Sequence, residues 1–241
     1  MSLFLENFKL ADRYDTAERW LLNELVCMSE FKPKKTRENI GVGFKMCPYD
    51  AEWPERDAIA FKSKRLNKEH CEIFFQWIMS GDTDLTEKID KLQPYAKIFV
   101  DKTGLPKNFS SSYGWKIKEQ LPIIIEELKR NPDSRRAYLS ILLKGDNLIL
   151  NAKTSMEYPC TIGAHYFIRG GRLHTVTHMR SQNVWSVMGY DVYNMCRLQE
   201  HLSEKLDCLV GDYTHFIDSA HIFTRDIEKI DEYLNKEAII L

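Results

Sequence analysis

The sequence has almost no net charge: its 241 residues carry 34 Lys and Arg against 35 Asp and Glu, a balance of −1. Such a balance gives no whole-molecule field toward nucleic acid or a membrane surface, and neither is expected as a partner. A small anionic ligand stays open, because that needs only a local group of Arg. The six Cys, at 27, 47, 71, 160, 196 and 208, include no C-x-x-C pair and no Cys/His spacing of a zinc site, so no metal is expected. Free thiols in a reducing cytoplasm are the simplest reading. The opening Met1–Glu6 lacks a basic segment and a long apolar run, which argues against a signal peptide, and no stretch reaches the apolar length of a transmembrane helix. Internal repeats and Gly/Ser/Pro-rich linkers are also missing. One domain over residues 1–241 is the expectation, with enough chain to bury a large core.

Helical periodicity is present. Leu21, Leu22, Leu25, Val26 and Cys27 recur at helical spacing within 17–30, and Cys71, Phe74, Phe75 and Ile78 within 66–79. A third helix is expected from about Leu121 to Arg130, with Pro122 in its first turn, where a missing N–H costs nothing. Asn131-Pro132-Asp133 reads as the turn that ends it. Residues 137–150 and 161–180 are rich in β-formers, and Arg169-Gly170-Gly171-Arg172 reads as a hairpin turn. Helical period returns over 191–206, followed by a strand at 213–223 and a closing helix at 226–236. The order is α+β, with helices packed on a mixed sheet.

Five places hold residues suited to chemistry, most with a plainer alternative. Arg135 and Arg136 follow a tight turn; two guanidinium forks match phosphate oxygens, or they are two solvated surface Arg. Cys160, in Tyr158-Pro159-Cys160-Thr161, begins a strand; it is a nucleophile if cationic neighbours lower its pKa, or a buried core thiol. Arg180-Ser181 lies 20 residues further on, across the hairpin, close enough for Arg180 to approach Cys160 in one register. Asp191, just ahead of an apolar periodic run, reads as a helix N-cap, which competes with any ligand role. His221 in a strand-like run is either a ligand or a satisfied structural residue.

Taken in order, Asn131–Arg136 (NPDSRR), Pro159-Cys160, Arg180-Ser181 and Ala220-His221 resemble the motifs of the thymidylate synthase family. The similarity covers roughly residues 110–225, and more weakly 15–85. The resemblance implies a thymidylate-synthase-like α+β fold that pairs sheet to sheet in a homodimer. It implies that Cys160 is the thiolate that adds to C6 of a pyrimidine nucleotide, and that Arg180 and Ser181 form part of the phosphate site. Arg135 and Arg136 resemble the pair donated to the partner's phosphate. Arg37 occupies the place of the phosphate Arg on a mobile loop, with the glycines that follow displaced to Gly41 and Gly43. Glu72 resembles the catalytic Glu that organises water and proton transfer, although its spacing to Gly81-Asp82-Thr83 is two residues longer than the family pattern. Tyr113 resembles the Tyr near the nucleophile, and His221 the sugar-hydroxyl ligand. The implied one-carbon donor is 5,10-methylenetetrahydrofolate. The chemistry suits these parts: C5 of a pyrimidine is a poor nucleophile, and thiolate addition at C6 makes it enamine-like.

Departures from the family are as informative. Uracil-specific members carry Asn eleven residues after the Arg of the Arg-Ser pair, and here that position is Asp191. An Asn amide suits uracil, whereas a carboxylate accepts from the cytosine amino group and, when protonated, also donates to N3. The pattern resembles viral deoxycytidylate hydroxymethylases and the cytidylate hydroxymethylases of nucleoside-antibiotic pathways. Thr161 and Met179 replace the usual His and Gln, and the chain ends 20 residues after His221, without an evident closing tail. A more open site favours water over hydride as the final reactant, and so a 5-hydroxymethyl product. Asn183 replaces an Asp that binds the pterin, and Phe223 replaces a Tyr near the 3′-hydroxyl, so CMP and dCMP both stay open. The alternatives are a cytidylate methyltransferase, a thymidylate synthase acting on dUMP, and a non-catalytic nucleotide-binding protein on the same scaffold.

Overall fold

A computed structural model describes residues 7–11, 14–47, 65–82, 113–144 and 158–238. It opens with a short strand, β1 (Phe8–Leu10), and helix α1 (Tyr14–Cys27), whose buried Tyr14, Ala17, Glu18, Leu21, Leu22 and Leu25 form one stripe at helical spacing. Strands β2 (Glu30–Phe31) and β3 (Thr36–Met46) follow. Helix α2 (Lys68–Ser80) starts where the Asn67 side chain accepts from the His70 backbone N–H at 3.0 Å, capping one orphan donor. Helix α3 (Tyr113–Arg130) leads to the edge strand β4 (Tyr138–Ser140).

The hairpin expected around Gly170-Gly171 is present as β5 (Thr161–Arg169) and β6 (Arg172–Met179). Both glycines have positive φ, 57° and 71°, which a two-residue turn matching strand twist requires. After β7 (Gln182–Asn183) and helix α4 (Met188–Lys205), the long strand β8 (Leu209–Phe223) crosses the middle of the sheet. A 3₁₀ turn (Thr224–Asp226) joins it to helix α5 (Ile227–Ala238).

Among the described residues the sheet order is β1-β3-β8-β6-β5-β4, with β2 beside β3 and β7 beside β8. β8 runs antiparallel to β3 and parallel to β6 and β7, so the sheet is mixed. Its inward residues Tyr213, His215 and Ile217 are buried with Thr175, Thr177 and Tyr166. The core closes over them through α1 on β3 and α4 on β6 and β8. The alternate residues look the other way, leaving Phe216 40% and Tyr138 42% exposed.

Three expectations are corrected. Pro122 lies well inside α3, not in its first turn, because the helix begins at Tyr113. Pro122 is solvent-exposed, while Ile117, Leu121, Ile124 and Leu128 keep a continuous buried stripe that outweighs the lost hydrogen bond. Gly114 lets α3 start against α2: a Cβ there would sit 2.6 Å from the Ile78 carbonyl oxygen. The strand expected over 137–150 is confined to Tyr138–Ser140 in the described part, and 145–150 lies outside the described residues. Arg37, expected on a loop, is on β3.

Candidate active site

The site forms where β5, β7, β8 and the start of α4 converge. Cys160 immediately precedes β5. The Arg180 backbone N–H donates to the Cys160 carbonyl at 2.9 Å, which fixes the hairpin register left open by sequence. That register brings the Arg180 guanidinium 3.7 Å from the Cys160 Sγ. Its geometry is set by further donations, from Nε to the Pro159 carbonyl at 2.7 Å and from Nη2 to the Tyr158 carbonyl at 2.8 Å. The guanidinium also lies over the Tyr158 ring, 4.6 Å from its centre.

Tyr113, at the first turn of α3, accepts from the Thr161 backbone N–H at 3.2 Å. Its phenol is pushed well up by burial, with the charges of Cys160 and Asp191 adding to the effect. Cys160, Tyr113 and Asp191 therefore share one electrostatic neighbourhood. Burial pushes the Cys160 thiol above its usual range; the Arg180 cation opposes that, and Asp191 reinforces it. A nearby cation is thus present, yet the thiol of the free protein is held mostly protonated.

Asp191 is not the N-cap of α4. The helix begins at Met188 after Val187, and Asp191 sits in its first turn. Local sequence suggested a cap because a carboxylate precedes an apolar run, but the helix gains a turn by seating Met188 and Gly189 in the core. Freed from capping, the Asp191 carboxyl is part-exposed and accepts from the Gln182 Nε2 at 2.8 Å. Burial raises it to about 6, and the Gln182 hydrogen bond holds it back from rising further.

The strand register collects further candidates. β7 pairs Gln182 with Ala220 and Asn183 with His221, while β3 pairs Glu38 with His221 and Arg37 with Ile222. Ser181, Asn183, His221 and Arg37 are thereby gathered at one end of β8. The Arg37 Nε is buried and has no hydrogen-bond partner in the protein, which suits a cation awaiting an anion. Burial lowers the His221 imidazole, against the backbone at Ser219 and the Glu38 charge, so it is neutral at pH 7. Asn183 accepts from the Ser186 backbone N–H at 2.9 Å, which commits its carbonyl oxygen.

Two groups lie apart. Arg135 and Arg136 are exposed on the turn after α3, where buried Ser134 anchors the loop by donating to Glu127 at 2.6 Å and accepting from the Arg136 N–H at 3.1 Å. Within one chain they are not joined to Cys160. Glu72 sits between α2 and α4, accepting from Tyr193 at 2.9 Å and Gln76 at 3.0 Å, with Arg197 at 3.4 Å. Burial pushes its pKa up, but the Gln76, Tyr193 and Arg197 contacts outweigh that and leave it lowered. Its partners do not include Cys160.

Sequence reasoning missed a buried polar chain. Gln182, 2% exposed, places its Oε1 3.3 Å from His215 Nε2, and His215 Nδ1 is 2.8 Å from the Tyr213 hydroxyl. The available signal was the parity of Tyr213, His215 and Ile217, which puts all three on the inward face of β8. Beside α4, a cavity of about 380 Å³ is lined by Arg65, Trp185, Ser186, Tyr190 and Tyr233, with Glu18 at its base. Among the described residues no cluster of His, Cys, Asp and Glu is arranged to hold a metal ion, and no helix is long and apolar enough to cross a membrane.

Fold and site together define an α+β protein with a part-buried thiol near a guanidinium, under the electrostatic influence of a carboxyl of raised pKa. The sequence profile described as thymidylate synthase matches residues 58–240. Proteins of Methanosarcina barkeri and Methanosarcina mazei, each named "Putative thymidylate synthase", are 26% identical over 148 residues. Those residues are 59% of this chain and 65% of each relative, so the match spans about two thirds of the relatives' length. The thermostable thymidylate synthase A from Bacillus subtilis superposes with a TM-score of 0.69 over 92% of this chain and 84% of that one, at 15% identity, a likeness of fold. The chain belongs to the thymidylate synthase family.

Proposed function

We propose that the chain is a single catalytic domain that transfers a one-carbon unit from 5,10-methylenetetrahydrofolate to C5 of CMP or dCMP, giving the 5-hydroxymethyl nucleotide. The observation that carries the reading is the Asp191 carboxyl, held at about 6 beside the Cys160 thiol. Near that pH a carboxyl exists in both forms. Ionised, it accepts from the cytosine 4-amino group; protonated, it also donates to N3, drawing electrons from the ring as the thiolate attacks C6. Uracil offers O4 and N3–H instead, and O4 facing a carboxylate is repelled.

Cys160 supplies the electron pair for the new bond to C6, and C5 gains nucleophilic character. Arg180, Ser181 and Arg37 hold the phosphate, with the partnerless Arg37 Nε as one donor. His221 serves as the sugar-hydroxyl ligand. Tyr113 is held near the nucleophile, and Glu72, with Tyr193 and Arg197, orders water and proton transfer. When bound, the folate supplies a carbon at the oxidation level of formaldehyde. Asn183, its oxygen committed to Ser186, offers an amide donor where the family pattern has an acceptor.

The raised thiol pKa is the observation favouring a second reading, a nucleotide-binding protein without turnover. Incubation with methylenetetrahydrofolate and each of CMP, dCMP and dUMP separates the two: consumption of a cytidylate with dUMP left over supports transfer, and no consumption supports binding alone.

The proposed active form is a homodimer in the cytoplasm. Arg135 and Arg136, exposed on the turn after α3, support donation to the partner's phosphate. So does the open sheet face carrying Tyr138, His165, Phe167 and Phe216. Mixing an Arg136→Ala protein with a Cys160→Ala protein in equal amounts is expected to restore up to about a quarter of wild-type activity in the mixture, because about half of the dimers are mixed and each of those has one intact site of two. Activity that stays at the level of the separate variants contradicts shared sites.

A further inference from the structure

Gln182 is buried between the site and the sheet, and its two amide ends face different partners. Its Nε2 donates to the Asp191 Oδ2 at 2.8 Å. Its Oε1 lies 3.3 Å from the His215 Nε2, and the His215 Nδ1 lies 2.8 Å from the Tyr213 hydroxyl. Tyr213 and His215 are fully buried, and Gln182 is 2% exposed. Buried side chains that bond to one another in sequence have few proton arrangements available. His215 is held neutral, its pKa lowered to about 3 by burial with the His178 charge adding. A neutral imidazole has one donor and one acceptor. With the Tyr213 O–H donating to Nδ1, the proton sits on Nε2 and points at the Gln182 oxygen. The Gln182 amide nitrogen is then turned toward Asp191. The reversed amide would set its oxygen against a carboxylate oxygen, acceptor against acceptor.

We infer that Gln182 is a positioning residue for base selection: Tyr213 and His215 lock its amide so that one oxygen of Asp191 is committed to a donor and the other is presented to the pyrimidine edge. The inference rests on Asp191 reading the base, as proposed above. Its consequence is a carboxyl whose two oxygens differ. The oxygen bonded to Gln182 stays an acceptor, and the proton, when present, resides on the other. Cytosine meets both forms of such a group, whereas uracil O4 meets an acceptor in the ionised form. The locked amide therefore adds to discrimination by excluding the arrangement that would suit uracil. Sequence alone hides this role, because β7 pairs Gln182 with Ala220 and it is the side chains, not the backbone register, that bring Gln182 to His215.

Among the described residues, the groups that act on Asp191 or are acted on by it are Tyr113 from α3, Cys160 ahead of β5, Tyr213 from β8 and Gln182 from β7. Of these, Gln182 is the hydrogen-bond donor that lowers the Asp191 pKa. Removing it moves any Asp191-linked midpoint to higher pH.

The test is affinity for CMP and UMP between pH 5 and 8.5, by calorimetry on the full chain, for wild type, Gln182→Leu, Tyr213→Phe and Asp191→Asn. Gln182→Leu is expected to narrow the CMP-over-UMP preference about tenfold, the loss of one hydrogen bond to a charged group. It should also raise the pH midpoint of CMP affinity. Tyr213→Phe, which keeps the ring and frees the His215 tautomer, should change both readouts in the same direction and less; it decides the matter if Gln182→Leu does not fold. Equal weakening of CMP and UMP, or an unchanged ratio and midpoint in both variants, overturns the inference provided Asp191→Asn alters the ratio. An unchanged ratio in Asp191→Asn overturns the base reading itself, and the inference with it.

Discussion

Replacing Cys160 with alanine is expected to lower turnover on the order of 10⁴-fold or more, the scale of losing a covalent nucleophile. The nucleotide should still bind within a few-fold of wild type, because the proposed function gives the phosphate and base contacts to other residues. The expectation is specific to this thiol. Cys71 and Cys196 are buried, and burial pushes the Cys71 thiol up to about 12. Cys27 and Cys47 are exposed, and Cys208 is half-buried with a raised pKa. Cys160 has a guanidinium at 3.7 Å and a carboxyl of raised pKa in its surroundings. The pH dependence follows from the direction of its shift. The thiolate is the reactive form, and its pKa lies above the usual thiol value, so in the free protein alkylation of Cys160 should rise about tenfold per pH unit through neutral pH. Arg180→Met removes a cation that opposes the rise and should slow alkylation further at fixed pH. Steady-state kinetics, nucleotide calorimetry and iodoacetamide labelling check the three outcomes. Full turnover in Cys160→Ala rules out covalent catalysis at this residue.

The second large effect is expected at Asp191. Asp191→Asn should lower cytidylate use on the order of 10²-fold or more, because a site built around one donor–acceptor pattern rejects its complement strongly. Use of dUMP should improve, since an amide can accept from N3–H and donate to O4. The same substitution should stabilise the fold at alkaline pH. The sign follows from the raised folded-state pKa, about 6 against an ordinary 3.8. Between those values the unfolded chain is ionised and the folded chain is not, so the Asp191 contribution is full below the unfolded value and is lost as pH rises through the folded one. A two-unit shift corresponds to about 3 kcal/mol, and the part-exposed carboxyl should realise about 1–3 kcal/mol of it. Asp191→Asn should therefore exceed wild type in denaturant stability by that amount at pH 8, with the gap closing between pH 6 and 4. His215 acts in the opposite direction over acid pH, since its lowered pKa removes stability as pH falls below the ordinary imidazole range, but it does so in both proteins and cancels in the comparison. Equal stability at pH 8 contradicts an ionised, poorly solvated Asp191.

Much of this arrangement was legible in the residues, for identifiable reasons. Helices α1 and α4 carry apolar stripes at the helical period, and Gly170-Gly171 marks a turn that only positive φ satisfies. Local signals failed where packing or long-range pairing decides. β3 was unanticipated because Arg37, Glu38 and Asn39 begin it and Gly41 and Gly43 interrupt it, although Val42, Phe44 and Met46 alternate inward further along. Asp191 looked like a cap because capping is a local preference, whereas the core contacts of Met188 and Gly189 start the helix earlier. The ordered motifs singled out Cys160, Arg180 and His221, and the structure brings Cys160 and Arg180 to 3.7 Å and sets His221 beside Asn183. The Tyr213–His215–Gln182 chain was out of reach, because it rests on a contact between side chains far apart in sequence, which the local pattern does not specify.

The most direct test of the whole account is the mass of the nucleotide recovered after incubation with methylenetetrahydrofolate, run in parallel on CMP, dCMP and dUMP. A cytidylate product heavier by one CH₂O unit, with dUMP unchanged and no dihydrofolate formed, is the predicted result. A gain of only CH₂ with dihydrofolate formed, or turnover of dUMP in preference to both cytidylates, contradicts it.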